Sequence, residues 1–107
     1  MTQSGDTTTE TERVSLSELD GDGRTPLFEG EPRTVRLALD AGESVPPHQH
    51  PGRQIVFQVL DGEFDLELGA ETLSLSAGEV ARFDGAQDIS PTAVTDAEAL
   101  LVLAAAE

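Results

Sequence analysis

Both histidines of the chain, His48 and His50, stand two residues apart in the segment Val45-Pro46-Pro47-His48-Gln49-His50. In extended backbone, side chains two apart point to the same face, so this spacing aims two imidazoles at one point. Neutral imidazole is a common protein ligand for zinc, iron, copper and nickel. Pro46 and Pro47 stiffen the approach and Pro51-Gly52 turns the chain directly afterwards, which suits a preorganised site. The chain has no cysteine, which excludes a thiolate metal site, a disulfide framework and a cysteine nucleophile. No serine has the two further partners that nucleophilic catalysis needs.

The elements that must position the pair read as short strands. Thr34 to Leu39 places Val35, Leu37 and Leu39 on one face, and Asp40-Ala41-Gly42-Glu43 turns. Ile55 to Leu60 is mostly apolar, and Asp61-Gly62 is a hairpin turn signal. Phe64-Asp65-Leu66-Glu67-Leu68 alternates with its two carboxylates outward, so Asp65 and Glu67 are surface acids, not a general acid/base pair. Leu73 to Leu75, Val80 to Phe83 and Leu100 to Leu103 complete the series, with glycine turns at Gly69 and Gly78. Short strands at this spacing indicate an all-β sandwich or barrel. The Ala-rich stretches Thr95 to Ala99 and Ala104 to Ala106 are too short to be stable helices. Asp20-Gly21-Asp22-Gly23 has the acids that open a calcium loop but not its later ligands, so it reads as a plain loop.

A chain of 107 residues is one domain. Residues 1–12 are polar and acidic and are expected to form a disordered tail, with the barrel over 13–107. They contain no apolar segment of the kind a secretory signal needs, and no apolar run approaches a membrane span, so the expected location is cytoplasmic. The chain has 21 acidic residues against six basic ones, a formal net charge of −15, and every basic residue is an arginine. Such a surface repels nucleic acid and anionic lipid, which excludes both as expected partners. Abundant carboxylate without lysine resembles proteins of salt-accumulating organisms, and a halophilic archaeal source is expected. The fold should therefore loosen in low salt, where self-repulsion is unscreened.

The surroundings of the histidines carry a more specific resemblance. Gly42, five residues, His48-x-His50, a Pro-Gly turn, an apolar strand and Val59-Leu60-Asp61-Gly62-Glu63 resemble the first motif of the cupin superfamily. Leu75-x-Ala77-Gly78-Glu79-Val80 resembles the opening of the second. The likeness spans Gly42 to Leu103. It implies a double-stranded β-helix, a jelly-roll barrel with any site inside it, pairing as a homodimer, and in many members one divalent metal such as Zn, Fe, Mn or Ni.

The usual cupin metal set is two His, a Glu and a third His, and the chain departs from it. Counting four from His50, the Glu position falls on Gln54. Counting back from Gly62, it falls on Ile55. A β-bulge would absorb the difference of one residue. The third His is absent, and its best matches are Thr92 and Ser90. Parity sets Gln54, Val56, Gln58 and Leu60 on one face and Ile55, Phe57 and Val59 on the other. Hydrophobicity alone turns the second face to the core. The family pattern turns the first inward, and we expect that arrangement because it explains the rigid placing of the histidines.

The expected metal ligands are then His48, His50 and Gln54, with Gln58, Arg53, Arg82 and Thr92 as cavity-lining candidates. Two functions follow. One is a metal-binding cupin with an open coordination sphere; if an enzyme, it would be of dioxygenase, isomerase or decarboxylase type, acting on a small molecule. The other is a metal-free cupin that holds a small ligand or serves as a regulatory dimeric module.

Overall fold

In a computed structural model of the chain, residues 11–106 are described, so all of the expected tail except Thr11 and Glu12 lies outside the described residues. After a single 3-10 turn at Leu16–Glu18 come eight strands: β1 (Gly23–Pro26), β2 (Arg33–Leu39), β3 (Arg53–Asp61), β4 (Glu63–Leu68), β5 (Glu71–Ser76), β6 (Val80–Asp84), β7 (Ile89–Ala93) and β8 (Ala97–Ala105). They form two antiparallel sheets, ordered β1-β2-β8-β3-β6 and β5-β4-β7. This is the all-β jelly roll expected from the strand spacing. Among the described residues no helix is long and apolar enough to cross a membrane.

The core lies between the sheets, and alternation decides who enters it. Val35, Leu37 and Leu39 of β2, Ile55, Phe57 and Val59 of β3, Ala97, Ala99 and Leu103 of β8, and Phe64, Leu66 and Leu68 of β4 are all buried. Each large apolar side chain taken out of water contributes about 1.5–3 kcal/mol. Phe57 and Phe64 meet edge-to-face across the two sheets, with ring centroids 5.3 Å apart and planes at 89°.

Strand β8 is longer than the apolar run Leu100–Leu103 suggests. Of the Ala-rich flanks, Ala97–Ala99 lie between β2 and β3, where Ala99 is fully buried, and Ala104–Ala105 extend the ladder to β3 alone. In this place tertiary pairing overrides the helical preference of alanine.

Strand β3 carries the bulge that the two counts required: its register with β8 shifts between Val59 and Asp61. Upstream of the bulge, Ile55, Phe57 and Val59 face the core, and Gln54, Val56 and Gln58 face outward. This corrects the expected inward face. The burial of two β-branched residues and a phenylalanine outweighs any cavity role for the two amides.

Acidic side chains crowd at one place in particular. Asp22, Asp40 and Glu43 are exposed, with carboxylate oxygens within 4.8 Å of one another, and Asp96 lies nearby. Repulsion from Asp22, followed by desolvation and the charges of Glu43 and Asp96, raises the Asp40 carboxyl above its ordinary range. A raised acid penalises the fold as pH rises through its pKa, because the folded state resists losing the proton. Asp40→Asn is therefore expected to raise Tm in dilute buffer at pH 7. The gain should shrink in molar salt, where the Debye length falls to about 3 Å. Thermal melts of both proteins at the two salt concentrations check this.

Candidate functional site

The histidine segment is not free loop. It runs antiparallel to β7 as an irregular fourth member of the smaller sheet, through bridges at Ser44–Thr92 and His48–Ile89. Between those bridges, four steps on one side match three on the other. The surplus residue falls at Pro46-Pro47, which have no N–H to donate to a ladder. The offset reverses facing along the segment. Ser44 and Thr92 point outward, their hydroxyls 2.8 Å apart, and His48 stands opposite Ile89 on the inner side.

Backbone bonds fix the pair from both ends. His48 exchanges hydrogen bonds with Ile89 (3.1 and 2.9 Å), and the His50 amide donates to the Gly85 carbonyl at 2.6 Å. The Gly85 amide donates in turn to Arg53 O at 2.8 Å. Buried Ser90 does not face the cavity; its hydroxyl donates to Val45 O at 2.7 Å and anchors the start of the segment. The His48 Nδ1–H donates to the Pro46 carbonyl at 3.0 Å, since a carbonyl only accepts, so in the neutral ring the lone pair is on Nε2. The two imidazoles pack edge-on, centroids 4.8 Å apart at 87°. Partial burial lowers the His50 pKa, and His48, Arg24, Arg33 and Arg53 lower it further. These effects all favour the neutral imidazole at His50.

The histidines open onto a cavity of about 20 Å³, room for roughly one water-sized body. Its wall is otherwise apolar and includes Leu37, Ile55, Phe57, Phe83, Pro91 and Leu101. The remaining polar member is Arg24, which the sequence reading passed over. Strand register could have found it: Arg24 lies directly opposite Leu37, and opposed residues share a face.

Each candidate can now be placed. His48 and His50 are brought together on the cavity. Gln54 is not a ligand; it sits on the outer face with Arg53, Arg82 and Asp84, and Ile55 takes the inward position. Gln58 is likewise outward, paired across the strands with Leu100 and Val80. Arg53 does not line the cavity. Its guanidinium grips both carboxylate oxygens of Glu31, which holds the Glu31 carboxyl below its usual range and raises the arginine. Arg82 is exposed on the outer side of β6. Thr92 is outward too, and the residue of β7 that faces the cavity at that level is Pro91.

The residues of β3 and β7 that face the cavity beside the histidines are Ile55, Ile89 and Pro91, none of which can coordinate, and a permanent cation stands at the mouth. This donor set does not fit the four-ligand metal centre of the family. Among the described residues, the only close group of three or more His, Asp or Glu side chains is the exposed cluster Asp22, Asp40 and Glu43, away from the histidines.

The fold and this site define a small single-domain cupin. Residues 35–104 match the family described as cupin domain, and the chain belongs to that family. Solved structures agree on the fold. TT1209 from Thermus thermophilus superposes with a TM-score of 0.77 at 24% identity, covering 89% of this chain and 98% of that one. The cupin domain of Cnp3 from Schizosaccharomyces pombe gives 0.79 at 17%, covering 88% and 74%. KdgF from Halomonas sp. gives 0.68 at 22%, covering 78% and 80%. No curated protein matches the chain significantly.

Proposed function

We propose that this cupin is a non-catalytic binding module that holds a small ligand at the mouth of its barrel without a resident metal. The observation that carries the reading is that the inward residues of β3 and β7 beside the histidines, Ile55, Ile89 and Pro91, offer no carboxylate and no third imidazole to a metal. The cavity is small, so only a compact group enters it, between a polar mouth and an apolar floor.

A second reading has its own support. The tethered Nδ1 of His48 leaves Nε2 as a lone-pair donor, and orientation of that kind is how proteins prepare an imidazole for a metal. Two imidazoles and waters would then hold a divalent ion. Elemental analysis separates the two readings. Wild type, His48→Ala and His50→Ala are incubated with Zn²⁺, Fe²⁺, Mn²⁺ and Ni²⁺ at high salt and dialysed. Metal well below one equivalent, and equal in all three proteins, is expected. One equivalent lost in both variants would replace the first reading by the second.

The remaining expectations complete the proposal. The partner is a second copy of the chain, seated on the outer face of the large sheet, where Val56, Val102 and Leu100 lie side by side, each half-buried, and Val80 is 56% exposed. The acidic excess suits a salt-rich cytoplasm, where screening lets two such copies approach.

A further inference from the structure

Arginines gather at the cavity mouth of this strongly acidic protein. Arg24, Arg33 and Arg53 all lie close enough to His50 to act on its charge, which places half of the six arginines around one imidazole. Arg53 is engaged by Glu31. Arg24 makes no ion pair among the described residues, and it alone of the three lines the cavity. It stands on the inner face of β1, the edge strand, opposite buried Leu37, so its stem covers apolar wall while its guanidinium stays exposed to solvent. Beneath it, Ile55, Phe57 and Leu101 line the floor of the same cavity, whose whole volume of about 20 Å³ is too small for a ring and sufficient for a methyl group.

Resting on the metal-free reading above, we propose that the ligand class is a short aliphatic carboxylate: its carboxylate paired with Arg24 beside His48 and His50, its alkyl end in the cavity. A guanidinium presents two parallel N–H donors that match a carboxylate, and among the described residues no carboxylate lines the cavity to compete for them. The apolar floor rejects a second charge, because a buried unpaired charge is costly. This selects monocarboxylates over dicarboxylates. Chain length is limited by the cavity, which admits one methyl group, so affinity should peak at about two to three carbons.

The test is a titration of the full chain followed through the His48 and His50 ring proton resonances. The probes are propionate, its neutral isostere propionamide, malonate, and sodium chloride at matched ionic strength. Propionate is expected to give saturable shifts, with propionamide and malonate at least tenfold weaker. Arg24→Gln should lower propionate affinity roughly tenfold or more, with Arg24→Lys intermediate. A thermal melt shows that each variant is folded; Arg24 is exposed, so both should melt close to wild type. Equal binding of propionamide and propionate, or unchanged affinity in Arg24→Gln, would overturn the carboxylate assignment and leave the binding-module reading standing. Shifts with chloride matching those with propionate would overturn it in the same way. Failure of the underlying reading shows elsewhere, as one equivalent of metal dependent on both histidines.

Discussion

If the site is metal-free as proposed, the double variant Ile55→Glu/Ile89→His should gain a metal site. Both side chains already face the cavity onto which His48 and His50 open, so the exchange supplies a carboxylate and a third imidazole at the two inward positions now closed by carbon. Ile55 is 1% exposed. Without metal, the new carboxylate is buried among apolar groups, which is expected to cost about 3–5 kcal/mol. With metal bound, that charge is neutralised and the folded state is favoured by mass action, about 4 kcal/mol at a thousandfold excess over Kd. The double variant should therefore melt well below wild type when metal-free and recover most of the difference with Ni²⁺ or Zn²⁺. Wild type should shift little. Gln54→Glu is the informative control. It places a carboxylate at the position reached by counting from His50, but on the outer face opposite Asp84 and near Arg82, so it should leave metal affinity near wild type and Tm at or slightly below it. Metal-dependent stabilisation by Gln54→Glu would show that the strand faces the other way.

A second large effect is expected from a single methyl group. Gly85 is buried between the histidine segment and the start of β3, hydrogen-bonded to His50 and Arg53. A Cβ there would collide with the His50 carbonyl oxygen and lie 2.9 Å from that of Arg53, both backbone atoms that cannot swing aside. Gly85→Ala should cost about 2–3 kcal/mol, read as a lower denaturant midpoint with an unchanged slope. It should also displace His50 and so weaken propionate binding in the protein that remains folded. Gly62→Ala isolates the second effect. Its φ is +76° and an added Cβ would meet the backbone of Asp96 and Ala97, so destabilisation of similar size is expected. Gly62 stands at the β3–β4 hairpin, away from the histidines, so binding by the folded fraction should be unchanged. Equal loss of binding in both variants would indicate that Gly85 only stabilises the barrel.

These variants depend on distinctions that the sequence shows unequally. The strand pattern and the His-x-His pair are legible because both are local: alternation and two-residue spacing determine facing within a single strand. From them follow the all-β class, the jelly-roll resemblance, the inward aim of both imidazoles and the surface role of Asp65 and Glu67. The mismatch of one residue between His50 and Gly62 even announces the bulge in β3.

Facing between segments is another matter, because it passes through irregularities that invert it. Gln54 looks inward when counted from His50, but β3 turns Ile55, Phe57 and Val59 to the core, where burying them is worth more than any contact the amides could make. Thr92 looks like the heir of a lost ligand until the extra residue at Pro46-Pro47 pairs it outward with Ser44 and leaves Pro91 facing the cavity. Arg53 and Arg82 are cavity candidates only as scarce cations, with surface ion pairs the favoured alternative; Arg53 does pair with Glu31, and the cavity cation is Arg24, on a strand that meets the site only across β2. The sequence by itself determined that two imidazoles point one way. The tertiary structure alone decided what stands opposite them, carbon side chains and a guanidinium, because register between distant strands is set by the packing of the whole core and not by local spacing.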